Sequence, residues 1–238
     1  MPRTQKTAPS PLDDRAREVA DRLHRQNRRQ LLGSAVPALR EAVKAKVGTG
    51  QWDWTATASG KEMLQDKMVA IDPEKAALCH LLCRSAAART VVEIGTSYGV
   101  STIYLAAAVR ETGGLVIGTE HEAGKVAAAE RTLAEAGVGE YAEILTGDLR
   151  ETLPPRLTEL EQQGRPVDFV LMDIWIPMAL PALEILTPHL RPGALVVCDN
   201  VISGATDYAD YLERVRSSGD FLSVTVPGQG GIEISMKL

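Results

Sequence analysis

At 238 residues the chain is long enough to bury a substantial core and suits one large α/β domain with an appendage. Its 26 Lys and Arg are outnumbered by 31 Asp and Glu, and the net charge of -5 argues against a nucleic acid and for a small molecule as partner. No apolar run reaches the roughly 18 to 20 residues of a membrane span, and MPRTQKTAPSPLDDR lacks the apolar stretch of a secretory signal, so a cytoplasmic protein with no membrane partner is expected.

In chain order, residues 1–12 carry three prolines and no periodic pattern, which predicts a flexible tail. Residues 13–67 form an N-terminal cover of helices and loop. Asp13 or Asp14 can cap a helix that Gly33 should stop, and SAVPALREAVKAKVG predicts a second helix with Pro37 in its first turn. The glycines, threonines and tryptophans that follow break the periodicity and predict a loop. Another helix is expected over 73–86, capped by Asp72 and led by Pro73. Within it Cys79, His80 and Cys83 could in principle ligate a metal, but Cys79 and His80 diverge by about 100° around a helix. The three cysteines, Cys198 included, read instead as buried small hydrophobes.

Residues 68–238 read as the main domain. Strands are predicted at 91–95, 115–120, 142–146, 167–172, 194–198, 222–226 and 231–237, and helices at 100–110, 122–136, 155–163, 178–188 and 205–217. Near-continuous Val, Ile and Leu in the middle strands points to a sheet covered on both faces by crossover helices. The short PGQGG between the last two strands leaves no room for a crossover and predicts an antiparallel hairpin. The expected fold is therefore a doubly wound, mostly parallel, seven-stranded α/β sheet ending in a C-terminal hairpin.

In such sheets ligands bind beyond the carboxyl ends of the strands. VVEIGTSYGVSTIYLAAAV, residues 91–109, is a strand, a turn at Gly95 and Gly99, and a helix. Its glycine spacing is not the GxGxxG of a pyrophosphate cradle, yet a glycine turn at a helix start still lets a ligand approach the backbone. Glu120 closes the second strand 25 residues after Gly95 and either caps it in solvent or accepts hydrogen bonds from a ribose diol. Asp148 can cap the next helix or accept from an amino group on a bound base, and the two roles are compatible. Glu93 interrupts an apolar strand and needs partners, whether from a structural network or beside a ligand. Asp173 ends LMDIW, and Asp199 and Asn200 end VVCDN. On neighbouring strands about 4.8 Å apart, these oxygens can converge as a hard donor set for a Mg²⁺-like cation; a helix cap and a turn are the alternative reading.

The segments VVEIGTSYGVSTIYLA, TEHEAGKVAAAE, LTGDLRETLP, DFVLMD, LRPGALVVCDNV and GGIEISMKL together resemble the divalent-metal-dependent small-molecule O-methyltransferases, the group of the catechol and caffeoyl-CoA enzymes. The resemblance runs from about residue 68 to the C-terminus. It implies a class I methyltransferase, Rossmann-like, with S-adenosylmethionine lying across the strand ends. Glu93, Gly95, Ser97 and Ser101 would line the methionine part, Glu120 the ribose and Asp148 the adenine. Asp173, Asp199 and Asn200 would hold a divalent cation such as Mg²⁺, Mn²⁺ or Ca²⁺ that orients and activates the acceptor hydroxyl, with Asp173 the catalytic carboxylate. A homodimer is also implied. One departure stands out: where the resembled enzymes hold a lysine as general base, this chain has Ile176. His121, Lys61 and Lys67 are poorly placed substitutes. Trp52, Trp54 and Trp175 offer aromatic faces to a planar, phenolic or catechol-like acceptor, or WDW pins the N-terminal helices. Methyl transfer to nitrogen and a nonenzymatic nucleoside-binding protein are the competing readings.

Overall fold

The computed structural model describes residues 10–49 and 70–238, with the side chains of 31–46 and 48–49 left aside. Helix α1 spans Asp14–Thr49 and helix α2 spans Pro73–Ser85. The sheet then begins with β1 (Thr90–Ile94), followed by α3 (Val100–Arg110), β2 (Leu115–Glu120), α4 (Ala123–Ala136), β3 (Ala142–Thr146) and α5 (Leu149–Gln162). Its second half is β4 (Val167–Met172), α6 (Ala179–Leu186), β5 (Leu190–Asp199), α7 (Ala209–Ser217), β6 (Phe221–Val226) and β7 (Ile232–Lys237). Strand order is β3-β2-β1-β4-β5-β7-β6. All neighbours pair in parallel except β5 with β7 and β7 with β6, so the expected doubly wound sheet and terminal hairpin are both present.

The period-two alternation of each central strand separates two cores. Val91, Val116, Phe169, Leu171 and Val197 face α1 to α4, while Val92, Ile117, Val170, Met172 and Val196 face α5 to α7. Leu12, Ala16, Val19, Ala20 and Leu23 are buried in the first of these cores, so the start of α1 is part of it. Arg15 fastens α1 further: its Nε and Nη2 donate to the Glu135 and Ala134 carbonyls at the end of α4, at 2.6 and 2.9 Å.

Several boundaries differ from the sequence expectation. The stop at Gly33 does not occur, and α1 runs unbroken through Gly33 and Pro37. Their helix penalties, about 1 and 3 kcal/mol, are outweighed by the Ala, Leu, Arg and Lys around them. Helix α5 starts at Leu149 rather than 155, because Asp148 caps it by accepting from Arg150 N at 2.9 Å; Pro154 and Pro155 then lie inside the helix rather than opening it. Strand β5 begins at Leu190, before a bulge: Val167 pairs with Leu190 but Phe169 with Leu195. Helix α7 begins at Ala209, after a run of turns from 201, and not at 205.

Candidate functional site

The strand order reverses between β1 and β4, and the carboxyl ends of β1, β2, β4 and β5 meet around that point. The turn after β1 carries three residues in the left-handed region, Gly95 (φ +97°), Ser97 (φ +50°) and Gly99 (φ +80°). It is stitched on both sides. Gly95 N and Thr96 N donate to Thr119 O at the end of β2, and Asp173 N donates to Ile94 O at 3.0 Å. A Cβ on Gly95 would stand 2.0 Å from the Asp173 carbonyl oxygen, so only glycine lets the turn lie over the end of β4.

Two backbone N–H groups hold the Glu120 carboxylate in place: Ser97 N donates to Oε2 and Glu122 N to Oε1, both at 2.9 Å. A carboxylate accepts about four hydrogen bonds, which leaves capacity for a diol. Glu93 is fully buried, and its Oε2 accepts from Thr96 Oγ1 at 2.9 Å and Thr102 Oγ1 at 2.5 Å. Burial pushes its carboxyl up from the ordinary value, while the hydroxyls of Ser101, Thr102 and Thr96 oppose that shift. Among the described residues, Glu93 Oε1 and Ser97 Oγ are buried without a hydrogen bond. Buried polar atoms in a folded interior are usually hydrogen-bonded, so two such atoms at and just before one turn mark it as a place that can take a polar ligand. Ser101 is buried in the first turn of α3, beside them.

Asp148 is more heavily engaged than the sequence suggests. Besides capping α5, it receives Arg150 Nε and Nη2, and these bonds hold its carboxyl down at about 2. The cap is thus observed; it is compatible with a contact to a bound base, which would be shared with Arg150.

Asp173 and Asp199 follow the paired residues Met172 and Cys198 at the ends of β4 and β5, and Asn200 turns away at φ +62°. They do come together, but with a cation that sequence reasoning missed. Lys75, on α2, is buried, and its Nζ donates to Asp199 Oδ1. The signal was available: Lys75, Cys79 and Cys83 recur at intervals of four along the buried face of α2, and a lysine in that apolar stripe needs a partner. Asn200 N also donates to Asp199 Oδ1, at 2.8 Å, and Asn200 Nδ2 to Oδ2, at 3.2 Å. Burial pushes Asp173 up to about 7, helped by the charges of Asp199 and Glu93 and opposed by Lys75. Burial also raises Asp199, against Lys75 and the Asn200 N–H.

As arranged, this donor set does not fit a divalent ion. Asp199 Oδ1 already accepts from an ammonium and from Asn200 N, and the Asn200 amide turns its N–H₂ rather than its oxygen to Oδ2, so a cation and two N–H donors stand where a divalent ion would need oxygen ligands. Among the described residues no three His, Cys, Asp or Glu side chains come together as a metal-holding group.

Trp175 is partly exposed two residues after Asp173. Ile176 packs against the second core and close to Gly204 and is no proton acceptor. Trp52, Trp54, Lys61 and Lys67 lie outside the described residues. No helix among the described residues is long and apolar enough to cross a membrane.

A family model described as a methyltransferase domain matches residues 92–201, from β1 to just beyond the Asp199–Asn200 pair. The catechol O-methyltransferase of Niastella koreensis is 29% identical over 134 residues, which is 56% of this chain and 59% of that protein. That of Mycobacterium tuberculosis is 32% identical over 136 residues, 57% and 59% of the two chains. The chain thus spans about three-fifths of the length of these curated relatives. The O-methyltransferase TomG from Streptomyces achromogenes, solved in complex with SAM, superimposes with a TM-score of 0.62 at 26% identity, over 90% of this chain and 97% of that one.

Proposed function

We propose that this chain, which carries a methyltransferase domain of the class I fold related to catechol O-methyltransferases, moves the methyl group of S-adenosylmethionine to an oxygen of a small phenolic or catechol-like molecule. The observation that carries the reading is the pair of buried atoms, Glu93 Oε1 and Ser97 Oγ, that make no hydrogen bond among the described residues, at and just before a left-handed turn whose Ser97 N–H holds the Glu120 carboxylate. In this reading Glu120 accepts the ribose hydroxyls. Gly95, Ser97, Ser101 and Glu93 surround the methionine part, with Asp148 near the adenine edge. The SAM bound in the similar TomG supports the same cofactor here.

The chemistry asks little of the protein. As the sulfonium C–S bond breaks, the acceptor oxygen forms the new O–CH₃ bond, the cofactor leaves as a neutral thioether, and the hydroxyl proton passes to solvent. Rate then comes from holding the oxygen in line behind the methyl carbon and from charge placed beside it. Asp173, Asp199 and Lys75 form the polar floor at the strand ends, and Trp175 is the aromatic residue nearest in sequence to that floor. Ile176 supplies no base, which favours acceptors whose hydroxyls are acidic. Of the residues expected to hold a divalent ion, Asp199 is engaged with Lys75 and with Asn200.

Calorimetry with S-adenosylhomocysteine, followed by a labelled-methyl assay over catechols, monophenols and amines, tests the reading. Cofactor binding with label in an ether product is the expected result. No binding, or label appearing only on amines, would overturn it.

A further inference from the structure

We propose that Lys75 is a built-in cation: its ammonium takes the seat at the ends of β4 and β5 that a divalent ion would otherwise fill, so the site works without metal. The proposal rests on the methyl-transfer reading for its functional meaning, and on the side-chain geometry alone for the seat.

Three observations carry it. Lys75 is the third residue of α2, in the first turn, where the positive end of the helix dipole disfavours a lysine. It does not turn out to solvent beside Glu74 or Asp72; it lies in the buried stripe with Cys79 and Cys83 and reaches Asp199, with 9% and 5% of the two side chains exposed. An ammonium has three N–H donors, and among the described residues Lys75 directs one of them to Asp199, so an acceptor oxygen arriving at the strand ends could be met by another. Finally, Asp199 Oδ1 is shared by Lys75 Nζ and Asn200 N, and Oδ2 is held by Asn200 Nδ2. A divalent ion entering here would have to displace the ammonium from its carboxylate and then lie beside it, two cations in one desolvated space.

A fixed ammonium can do part of what a divalent ion does for an acceptor hydroxyl. It places positive charge where the oxygen becomes anionic and offers directed hydrogen bonds to it. It cannot chelate two vicinal oxygens as a metal does, so a single hydroxyl beside the charge suffices. Asp199 keeps the ammonium in position, and the Asp173 carboxyl, just past the end of the adjoining strand, lies near enough for its charge to interact with both.

The test measures Mn²⁺ binding to the full chain by electron paramagnetic resonance, with S-adenosylhomocysteine binding by calorimetry as an independent readout. Wild type is expected to show no saturable Mn²⁺ site and to keep its methyl transfer within about twofold after EDTA. Lys75→Ala, which leaves Asp173 and Asp199 as an uncompensated acidic pair, is expected to bind Mn²⁺ at least about tenfold more tightly than wild type. Adding Asp173→Asn should abolish that gain, and Lys75→Arg should behave as wild type. Saturable Mn²⁺ binding to wild type that Asp173→Asn removes overturns the proposal. So does EDTA-abolished turnover that Mg²⁺ restores, or a folded Lys75→Ala that gains no Mn²⁺ site. Should Lys75→Ala fail to fold, the wild-type and Lys75→Arg measurements decide alone. Failure of S-adenosylhomocysteine to bind would defeat the methyl-transfer reading while leaving the Mn²⁺ result to decide the seat.

Discussion

Gly95→Ala should be among the most damaging single-methyl substitutions in the chain, and its cost divides into parts that can be measured separately. The backbone part is the left-handed φ of +97°, worth about 1–2 kcal/mol for an L-residue. The steric part is larger. The new Cβ would stand 2.0 Å from the Asp173 carbonyl oxygen, which is backbone and cannot rotate aside. Either β1 and β4 separate or the Asp173 N to Ile94 O bond of 3.0 Å is lost, which adds about 1 kcal/mol for the bond and about 1–3 kcal/mol for overpacking. The sum is about 3–6 kcal/mol. Gly113→Ala isolates the backbone part, since Gly113 has φ +66° and open space around its would-be Cβ, and should cost only about 1–2 kcal/mol. Urea unfolding of both variants against wild type gives the two numbers. At a slope of about 2–3 kcal/mol per molar urea, Gly95→Ala should lower the midpoint by about 1–3 M. If the two variants agree within about 0.5 kcal/mol, the closeness of the turn to β4 contributes nothing and the reasoning fails.

Glu120→Ala should weaken S-adenosylhomocysteine binding by at least about tenfold, equivalent to about 1.4 kcal/mol, as read by calorimetry; unchanged affinity in the folded variant would remove Glu120 from the site. His80 is buried with Nδ1 2.9 Å from the Tyr104 carbonyl, and burial lowers its pKa below the usual value, so its neutral form is the one folding favours. Its contribution to stability is therefore full above about pH 6.5 and is lost as the pH falls through its lowered folded value. The melting-temperature gap between wild type and His80→Gln should accordingly narrow on acidification, and a gap that widens would contradict the sign. Arg15→Ala removes the side chain that closes the end of α4 and should cost on the order of 1 kcal/mol, with faster amide exchange over residues 14–30; exchange there identical to wild type would show that burial alone holds α1.

Much of the architecture was legible because the central strands carry their burial in their composition. Val91, Val92, Phe169, Val170, Val196 and Val197 announce a sheet with two covered faces, and PGQGG announces the hairpin. The strand-end acids were legible for the same reason, since a carboxylate following an oily run has few places to be. What escaped was decided by partners far away in the chain. Asp199 and Lys75 are separated by 124 residues, and no local pattern pairs them, although the lysine in the stripe of Cys79 and Cys83 was a visible anomaly. Helix ends failed where a local signal was overruled. Gly33 read as a stop ahead of a second helix, and the helix after β3 was expected only from 155, yet the helix-forming residues around Gly33 and Pro37 and the Asp148 cap proved stronger. Asp148 shows a different limit: both of its compatible roles were readable, and the structure displays the cap together with an Arg150 contact that was not.

Strand β7 follows β6 in the chain yet lies inside it, bonded to β5 on one side and β6 on the other. A ribosome therefore delivers the outermost strand before the one it must lean on. A nascent chain halted after Val226 would hold β6 with no partner and would leave the whole flank of β5, from Leu195 to Asp199, open along its N–H and C=O groups. Asp199 pairs with Ile232, so the carboxylate that grips Lys75 gains its backbone support only when that late strand slides into place. Shortening at the C-terminal side is therefore a lesion of the interior, and it falls on the strand end that carries Asp199.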